Sequence, residues 1–221
     1  MSQFAVIFDM DGVLVDSYHA HFESWKLLYG ELGIEYTEAA FAADFGRTSR
    51  EILRHTLGDS PDDERVADLD RRKEAFYRDI LRATFPAMDG AGELIHALAE
   101  DGFRLAIGSS GPPENVALVV ERLAGGERLS VAVTGADVTR GKPDPQVFLI
   151  AAERLGVPPA SCAVVEDAVH GVMAAQRAGM VAIALTGTLE RDELAAADAV
   201  VDSLRQLSPE RIRALITSRT A

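Results

Sequence analysis

A doubly wound α/β sheet with an all-helical insertion after its first strand is the fold this sequence predicts. Three observations predict it. Short apolar runs that do not alternate recur along the chain, helical patterns separate most of them, and the segment 16–85 holds no convincing strand pattern. Continuous runs of Val, Ile and Ala mark strands buried on both faces, the habit of parallel sheets. The runs are FAVIFD (4–9), RLAIGSS (104–110), SVAVTG (130–135), CAVVED (162–167), MVAIALTG (180–187) and AVVDS (199–203). The helical patterns are AGELIHALAEDG, PENVALVVERLAG, PQVFLIAAERLG, AVHGVMAAQRAG and ERDELAAAD. Several close on Gly, the usual residue just past a helix C-terminus. Strand alternating with helix gives a parallel, doubly wound sheet.

Within 16–85, SYHAHFESWKLLYGELG, SREILRHTLG and PDDERVADLDRRKEAFYRDILRATF all read as helices. The expected division is a core of 1–15 and 86–221 with a helical cap of 16–85. An insertion at that point would sit over the carboxyl ends of the strands, where open α/β sheets bind ligands.

Composition narrows the function classes. The 221 residues are 48% apolar, enough for a sizeable core. The formal net charge is -13, from 35 acids against 22 Lys and Arg, which argues against nucleic-acid and anionic-membrane partners. Anionic small molecules respond to local charge and stay possible. The single cysteine, Cys162, lies in an apolar run and is expected to be a buried small residue. A strand pattern begins within a few residues of Met1, so no leader peptide is expected. No apolar run approaches membrane-spanning length, and a cytoplasmic protein is the expectation.

The strand ends carry the polar chemistry. The first run ends in Asp9, with Asp11 one residue on; the second ends in Ser109 and Ser110. The segment after SVAVTG leads to Lys142 in RGKPDP, and CAVVED ends in Glu166 and Asp167. Parallel strands bring all of these to one edge of the sheet. Each alone has an ordinary reading as a cap, a turn or a solvated lysine. Together they place four carboxylates in one cleft against one ammonium. Such a cluster needs a cation or protonation. A hard divalent ion with oxygen ligands, most plausibly Mg²⁺, meets the need and leaves room for a phosphate oxygen. Two nucleotide fingerprints fail. GADVTRGKP misses P-loop spacing by one residue and has Pro143 where Ser or Thr would hold Mg²⁺, and no G-x-G-x-x-G follows the first strand.

DMDGVLVDS, GSS, GKPDP and VVEDAVHG resemble, in order and spacing, the four motifs of the haloacid dehalogenase superfamily, phosphatase branch. The resemblance spans nearly the whole chain and implies a Rossmann-like core. The helical insertion resembles the α-helical cap of the β-phosphoglucomutase-like subfamily. The resemblance implies that Asp9 is a nucleophile forming an aspartyl phosphate and that Asp11 is the general acid and base. It implies that Ser109, Ser110 and Lys142 hold phosphoryl oxygens, while Gly12 lets the backbone approach the phosphate. It implies a Mg²⁺ site from Asp9, the backbone carbonyl of Asp11, Asp167 and Glu166, the last directly or through water.

The cap offers further candidates. His21, Trp25, Leu28 and Leu32 share one helical face. A histidine there reads as packing, but HFESW resembles the mutase pattern in which this residue contacts the acid/base. Lys73 interrupts the stripe Val66, Leu69, Phe76, Tyr77 and Ile80. It reads either as a side chain snorkelling at the stripe's edge or, by the resemblance of RRKEAFY to the mutase cap, as a lysine reaching the cleft. FGRTSRE resembles the loop that reads substrate in this subfamily. It offers Arg47 and Arg50, with Arg47 following Gly46 and Arg50 matching the SRE part. His170, just past the acidic pair, is expected to be structural or peripheral.

The expected activity is phosphatase action on a small phosphomonoester, a sugar phosphate first among them. β-Phosphoglucomutase is the alternative: His21, Lys73 and SRE favour it. SSGPPEN disfavours it, because Gly111, Pro112 and Pro113 offer no side-chain donor for a second phosphate. A catalytically silent metabolite-binding protein is the remote alternative, since it has no chemical need of Asp9, Asp11, Ser109, Lys142 and Asp167 together. A monomer or weak homodimer is expected.

Overall fold

The computed structural model describes residues 4–44, 47–58 and 62–220. They divide into two compact units, Met1–Asp16 with Ala87–Ala221, and Ser17–Pro86.

In the first unit the apolar runs form six strands: β1 (Ala5–Phe8), β2 (Arg104–Gly108), β3 (Val131–Val133), β4 (Cys162–Glu166), β5 (Val181–Leu185) and β6 (Ala199–Val201). All pair in parallel in the order β3-β2-β1-β4-β5-β6. Every residue of β1, β4 and β5 is buried, as continuous apolar runs require of a sheet covered on both faces. Alternate residues serve opposite faces. Ala5, Ile7, Ala106, Val164, Ala182 and Ala184 share one core with Phe148 and Ala151 of α7 (Gln146–Leu155) and Val172 and Ala175 of α8 (Val169–Arg177). Against strands β2 and β4 also pack α5 (Ala91–Glu100) and α9 (Pro209–Thr220), respectively, while α6 (Pro113–Arg122) links β2 to β3.

Register fixes what stands at the edge. Phe8 aligns with Ile107 on one side and Val165 on the other, so the chain leaves β1 beside the ends of β2 and β4. The strand order reverses between β1 and β4, and that switch point is where Asp9 and Glu166 emerge.

One expected helix is absent. ERDELAAAD (190–198) forms successive turns, with Glu193 N–H on Glu190 O at 3.0 Å and Leu194 N–H on Arg191 O at 3.2 Å. Tertiary bonds override its helix propensity. Arg191 donates to Val200 O at 3.1 Å and to Asp202 at 2.7 Å, and Asp198 accepts from Ala182 N–H at 2.8 Å. These bonds strap the segment across β5 and β6.

The second unit is all helix: α1 (Tyr18–Glu31), α2 (Glu38–Asp44), α3 (Ser49–Leu57) and α4 (Asp63–Ala83). The short α2 carried no separate sequence signal. Trp25, Leu28, Tyr29, Tyr36, Phe41, Leu53, Val66 and Leu69 make its core. Among the described residues no helix is long and apolar enough to cross a membrane.

Candidate active site

The turn after β1 begins as the apolar run ends. Asp9 N–H still donates to Val165 O at 2.9 Å, extending the ladder by one bond, and Leu14 N–H and Val15 N–H then both close on Met10 O. Gly12 sits inside this loop with φ of 74°. A side chain there would be strained by that left-handed backbone, and a Cβ would overlap the Asp167 carboxylate. Gly12 is thus required by close packing on Asp167, a reason the motif alone did not reveal.

Asp9, Glu166 and Asp167 are all buried, and one carboxylate oxygen from each lies within 4.8 Å of the other two. Lys142 enters from the loop between β3 and α7 and donates to Asp9 Oδ1 and to Glu166 Oε1, each at 2.5 Å. Its ammonium also lies 5.0 Å from the centre of the Phe148 ring on α7. The loop is well fastened. Gln146 Oε1 accepts from Thr139 N–H at 2.9 Å and Arg140 N–H at 3.1 Å, and Arg177 donates to Pro143 O at 2.9 Å. The Lys142–Pro143 peptide bond is cis.

Glu166 is used on both oxygens, for Oε2 accepts from Asp167 N–H at 2.9 Å and Ala168 N–H at 3.1 Å. Gly171 on α8 makes room for it, since a Cβ there would overlap the Glu166 carboxylate. Asp167 Oδ2 accepts from Thr188 Oγ1. Asp9 Oδ2 and Asp167 Oδ1 take part in none of these bonds. Asp11 is half-buried and its carboxylate is outside the three-acid cluster. On β2's end, Ser109 is buried, and its Oγ accepts from Gly111 N–H at 2.9 Å, which leaves the hydroxyl proton to donate. Ser110 is exposed.

The electrostatics follow from burial. Desolvation, reinforced by Glu166, Asp167 and Asp11, holds the Asp9 carboxyl well above the usual carboxylate range although Lys142 opposes it. Asp167 is pushed up to about 7, by burial first and then by Glu166. Burial works to lower the Lys142 pKa, but the carboxylates of Asp9 and Glu166 outweigh it and raise the value. Three carboxylates therefore share one ammonium and remain short of positive charge. An oxygen-only donor set, anionic, buried and clustered this tightly, fits a hard divalent cation such as Mg²⁺.

The remaining candidates lie in the second unit, where Lys73 and His21 meet. Lys73 does not snorkel: it is 1% exposed, and its ammonium donates to Glu74 Oε1 at 2.8 Å and to His21 Nδ1 at 2.8 Å. The ammonium also lies 5.4 Å from the ring centres of both Trp25 and Tyr77. An ammonium has no lone pair, so Nδ1 of His21 is the acceptor and a neutral ring carries its proton on Nε2. His21 stacks on Tyr77, with centroids 4.3 Å apart. Arg47 pairs with Asp44 at 3.3 Å and Arg50 with Asp70 at 3.6 Å, both arginines exposed. Phe45 and Gly46 of the FGRTSRE stretch lie outside the described residues. Thr48 and Glu51 form a capping box on α3, a T-x-x-E signal present in that same stretch. His170 is exposed on α8.

A doubly wound α/β core places this acid-and-lysine cluster at its switch point, outside the carboxyl ends of the strands, where open α/β sheets bind ligands. The sequence model of the haloacid dehalogenase-like hydrolases matches residues 5–179, and the chain belongs to that family. It is 32% identical to a validoxylamine A 7'-phosphate phosphatase of Streptomyces hygroscopicus subsp. limoneus, over 91% of this chain and 94% of that one. It is 30% identical to a β-phosphoglucomutase of Bacillus subtilis, over 93% and 92% of the two chains. In structure it is similar to a family IA, variant 3 hydrolase from Entamoeba histolytica, with TM-score 0.88 at 26% identity, covering 98% of this chain and 100% of the other.

Two functional candidates escaped the sequence reading. Thr188 lies in a loop with no motif of its own. Gly171 stands within VVEDAVHG, but its packing on Glu166 became visible only in three dimensions.

Proposed function

We propose that the protein is a Mg²⁺-dependent phosphatase for a small phosphomonoester, probed first with sugar phosphates, acting through an aspartyl phosphate on Asp9. The observation that carries this reading is the buried Asp9, held between Lys142 and two further acids at the sheet's switch point. Asp9 attacks phosphorus while the ester P–O bond breaks, and Asp11 gives its proton to the leaving oxygen. A water then attacks the same phosphorus, passes a proton to Asp11, and the Asp9–phosphorus bond breaks to release inorganic phosphate. Lys142 and the Ser109 hydroxyl, with Ser110 at the loop edge, hold phosphoryl oxygens as charge develops. A bound Mg²⁺, held by Asp9, Asp167 and the Asp11 carbonyl with Glu166 directly or through water, would supply charge neutralisation at those oxygens. In the helical insertion, the exposed Arg47 and Arg50 are the proposed selectors of the non-phosphate part of the substrate, with His21 and the buried Lys73, engaged with each other, as proposed supports for that role.

The test is phosphate release from a panel of phosphomonoesters with Mg²⁺ present. A mutase is the second reading, favoured by the β-phosphoglucomutase relative and by the His21–Lys73 pair. Against it, Pro112 and Pro113 open α6 where a second phosphate would need donors. β-Glucose 1-phosphate with a bisphosphate activator separates the two. Glucose 6-phosphate accumulating without free phosphate would establish the mutase, and no turnover of any ester, aryl phosphates included, would leave a binding protein.

A further inference from the structure

We infer that Thr188 is a positioning residue for metal binding, fixing the Asp167 carboxylate so that the protein holds one oxygen and the cation receives the other. The inference rests on the reading of the Asp9–Glu166–Asp167 cluster as a Mg²⁺ site. Asp167 is buried at the end of β4, and its Oδ2 accepts the Thr188 hydroxyl from 21 residues further along the chain. Gly12 stands against the same oxygen. A Cβ built there would overlap Oδ2 and Cγ of Asp167 and come within 2.9 Å of Thr188 Oγ1. The Oδ2 edge of the carboxylate is therefore held by a hydroxyl donor and packed closely on a bare glycine, and these contacts oppose rotation about its terminal bond. Oδ1 is the oxygen that no such bond engages. Partners of this kind orient a ligand before the metal arrives.

Thr188 is delivered by the same crossover whose expected helix fails to form. The crossover is tied at its start by Thr186, whose N–H donates to Val201 O at 2.9 Å and whose hydroxyl donates to Asp202 Oδ1 at 3.0 Å. It is tied again by Arg191 on Val200 O and Asp202 and, at its far end, by Asp198 on Ala182 N–H. These ties fix the start of the crossover, where the Thr188 hydroxyl rests on Asp167. The β5–β6 crossover thus has a task at the site, although it supplies no candidate catalytic group.

The test is calorimetric titration of the metal-free protein with MgCl₂, for wild type, Thr188→Val, Thr188→Ala and Thr188→Ser. Both variants lacking the hydroxyl are expected to bind Mg²⁺ about ten-fold or more weakly, and Thr188→Ser to stay within about three-fold of wild type. In turnover assays the Mg²⁺ concentration for half activity rises in parallel, while kcat at saturating Mg²⁺ recovers toward wild type. Near-wild-type Mg²⁺ affinity in either hydroxyl-free variant overturns the role of Thr188. Absence of Mg²⁺ binding by the wild type overturns instead the metal reading beneath it. Circular dichroism identifies a variant that has not folded, and Thr188→Val and Thr188→Ala then stand in for one another, since either one set against wild type or serine decides the outcome.

Discussion

Two lysines are withdrawn from water in this protein, one in each unit, and their surroundings answer them differently. The Lys73 side chain, in the helical unit, is 2% exposed and meets one carboxylate, Glu74, and one imidazole, His21. The neighbouring Asp70 has its own partner in Arg50. That cluster is formally balanced, and two aromatic rings close over it. Lys142 in the core is 10% exposed and faces three carboxylates, a formal excess of two negative charges. A buried pair that balances is something a fold can hold for its own sake, whereas a buried excess of like charge works against folding. Its presence at the switch point is the physical sign that the site is built for something other than stability, and a divalent cation is the simplest complement to it.

The contrast predicts opposite responses to removing one charged group. Asp9→Asn is expected to lower turnover by at least about a thousand-fold, since the proposed nucleophile is gone. The same variant, measured without metal, is expected to gain about 0.5–2 kcal/mol of stability, because Lys142 keeps Glu166 while the excess charge falls. Turnover surviving in Asp9→Asn would reject the nucleophile. A loss of metal-free stability would reject the idea that the core cluster is strained by charge.

The helical unit should respond the other way. Lys73→Met leaves Glu74 buried without its ammonium, which is expected to cost about 3–5 kcal/mol. Adding Glu74→Gln should recover at least half of that. Trp25 is the protein's single tryptophan and lies beneath the Lys73 ammonium, so its fluorescence during urea unfolding reports this cluster directly. If the double variant is no more stable than the single one, the pair is not the balanced unit that its geometry suggests. Gly171→Ala is a gentler probe of the core. The added methyl must displace the Glu166 carboxylate, and activity is expected to fall about ten- to a hundred-fold with folding retained. Unchanged activity and Mg²⁺ dependence would mean that the position of Glu166 is not critical.

What could be read beforehand was whatever is written locally. β1 is legible because Ala5 to Phe8 are uninterrupted and apolar, and the acids that follow it are legible because they end such a run. The salt bridge between Lys142 and Asp9 spans 133 residues, and no periodicity encodes it; it needed the motif order, and then the strand order, to appear. ERDELAAAD has helical composition, yet Arg191 and Asp198 are claimed by the sheet edge, so tertiary bonds decided against the local preference. Lys73 was visible as an anomaly in an apolar stripe. Its partner Glu74 was not, because adjacent residues on a helix point apart and only the long side chains bring them together.

Strand β4 carries the contrast within itself and gives the smallest effect. Its last residue, Glu166, is a buried acid tied to Lys142, while its first, Cys162, is a buried thiol with no charged partner. Burial alone pushes the Cys162 thiol up to about 12. An unfolded cysteine titrates near about 8.5, so the folded protein keeps this proton to higher pH. The resulting stability is fully present below about pH 8.5 and is lost as pH rises from there toward about 12. Comparing wild type with Cys162→Ala isolates it: the difference in unfolding free energy is constant at neutral pH and shifts in favour of the alanine variant above about pH 9. A thiol reagent at pH 8 gives the complementary readout, with no reaction in the native protein and one equivalent after unfolding. Rapid native labelling would mean that the amino end of β4 opens readily although every residue of the strand is buried.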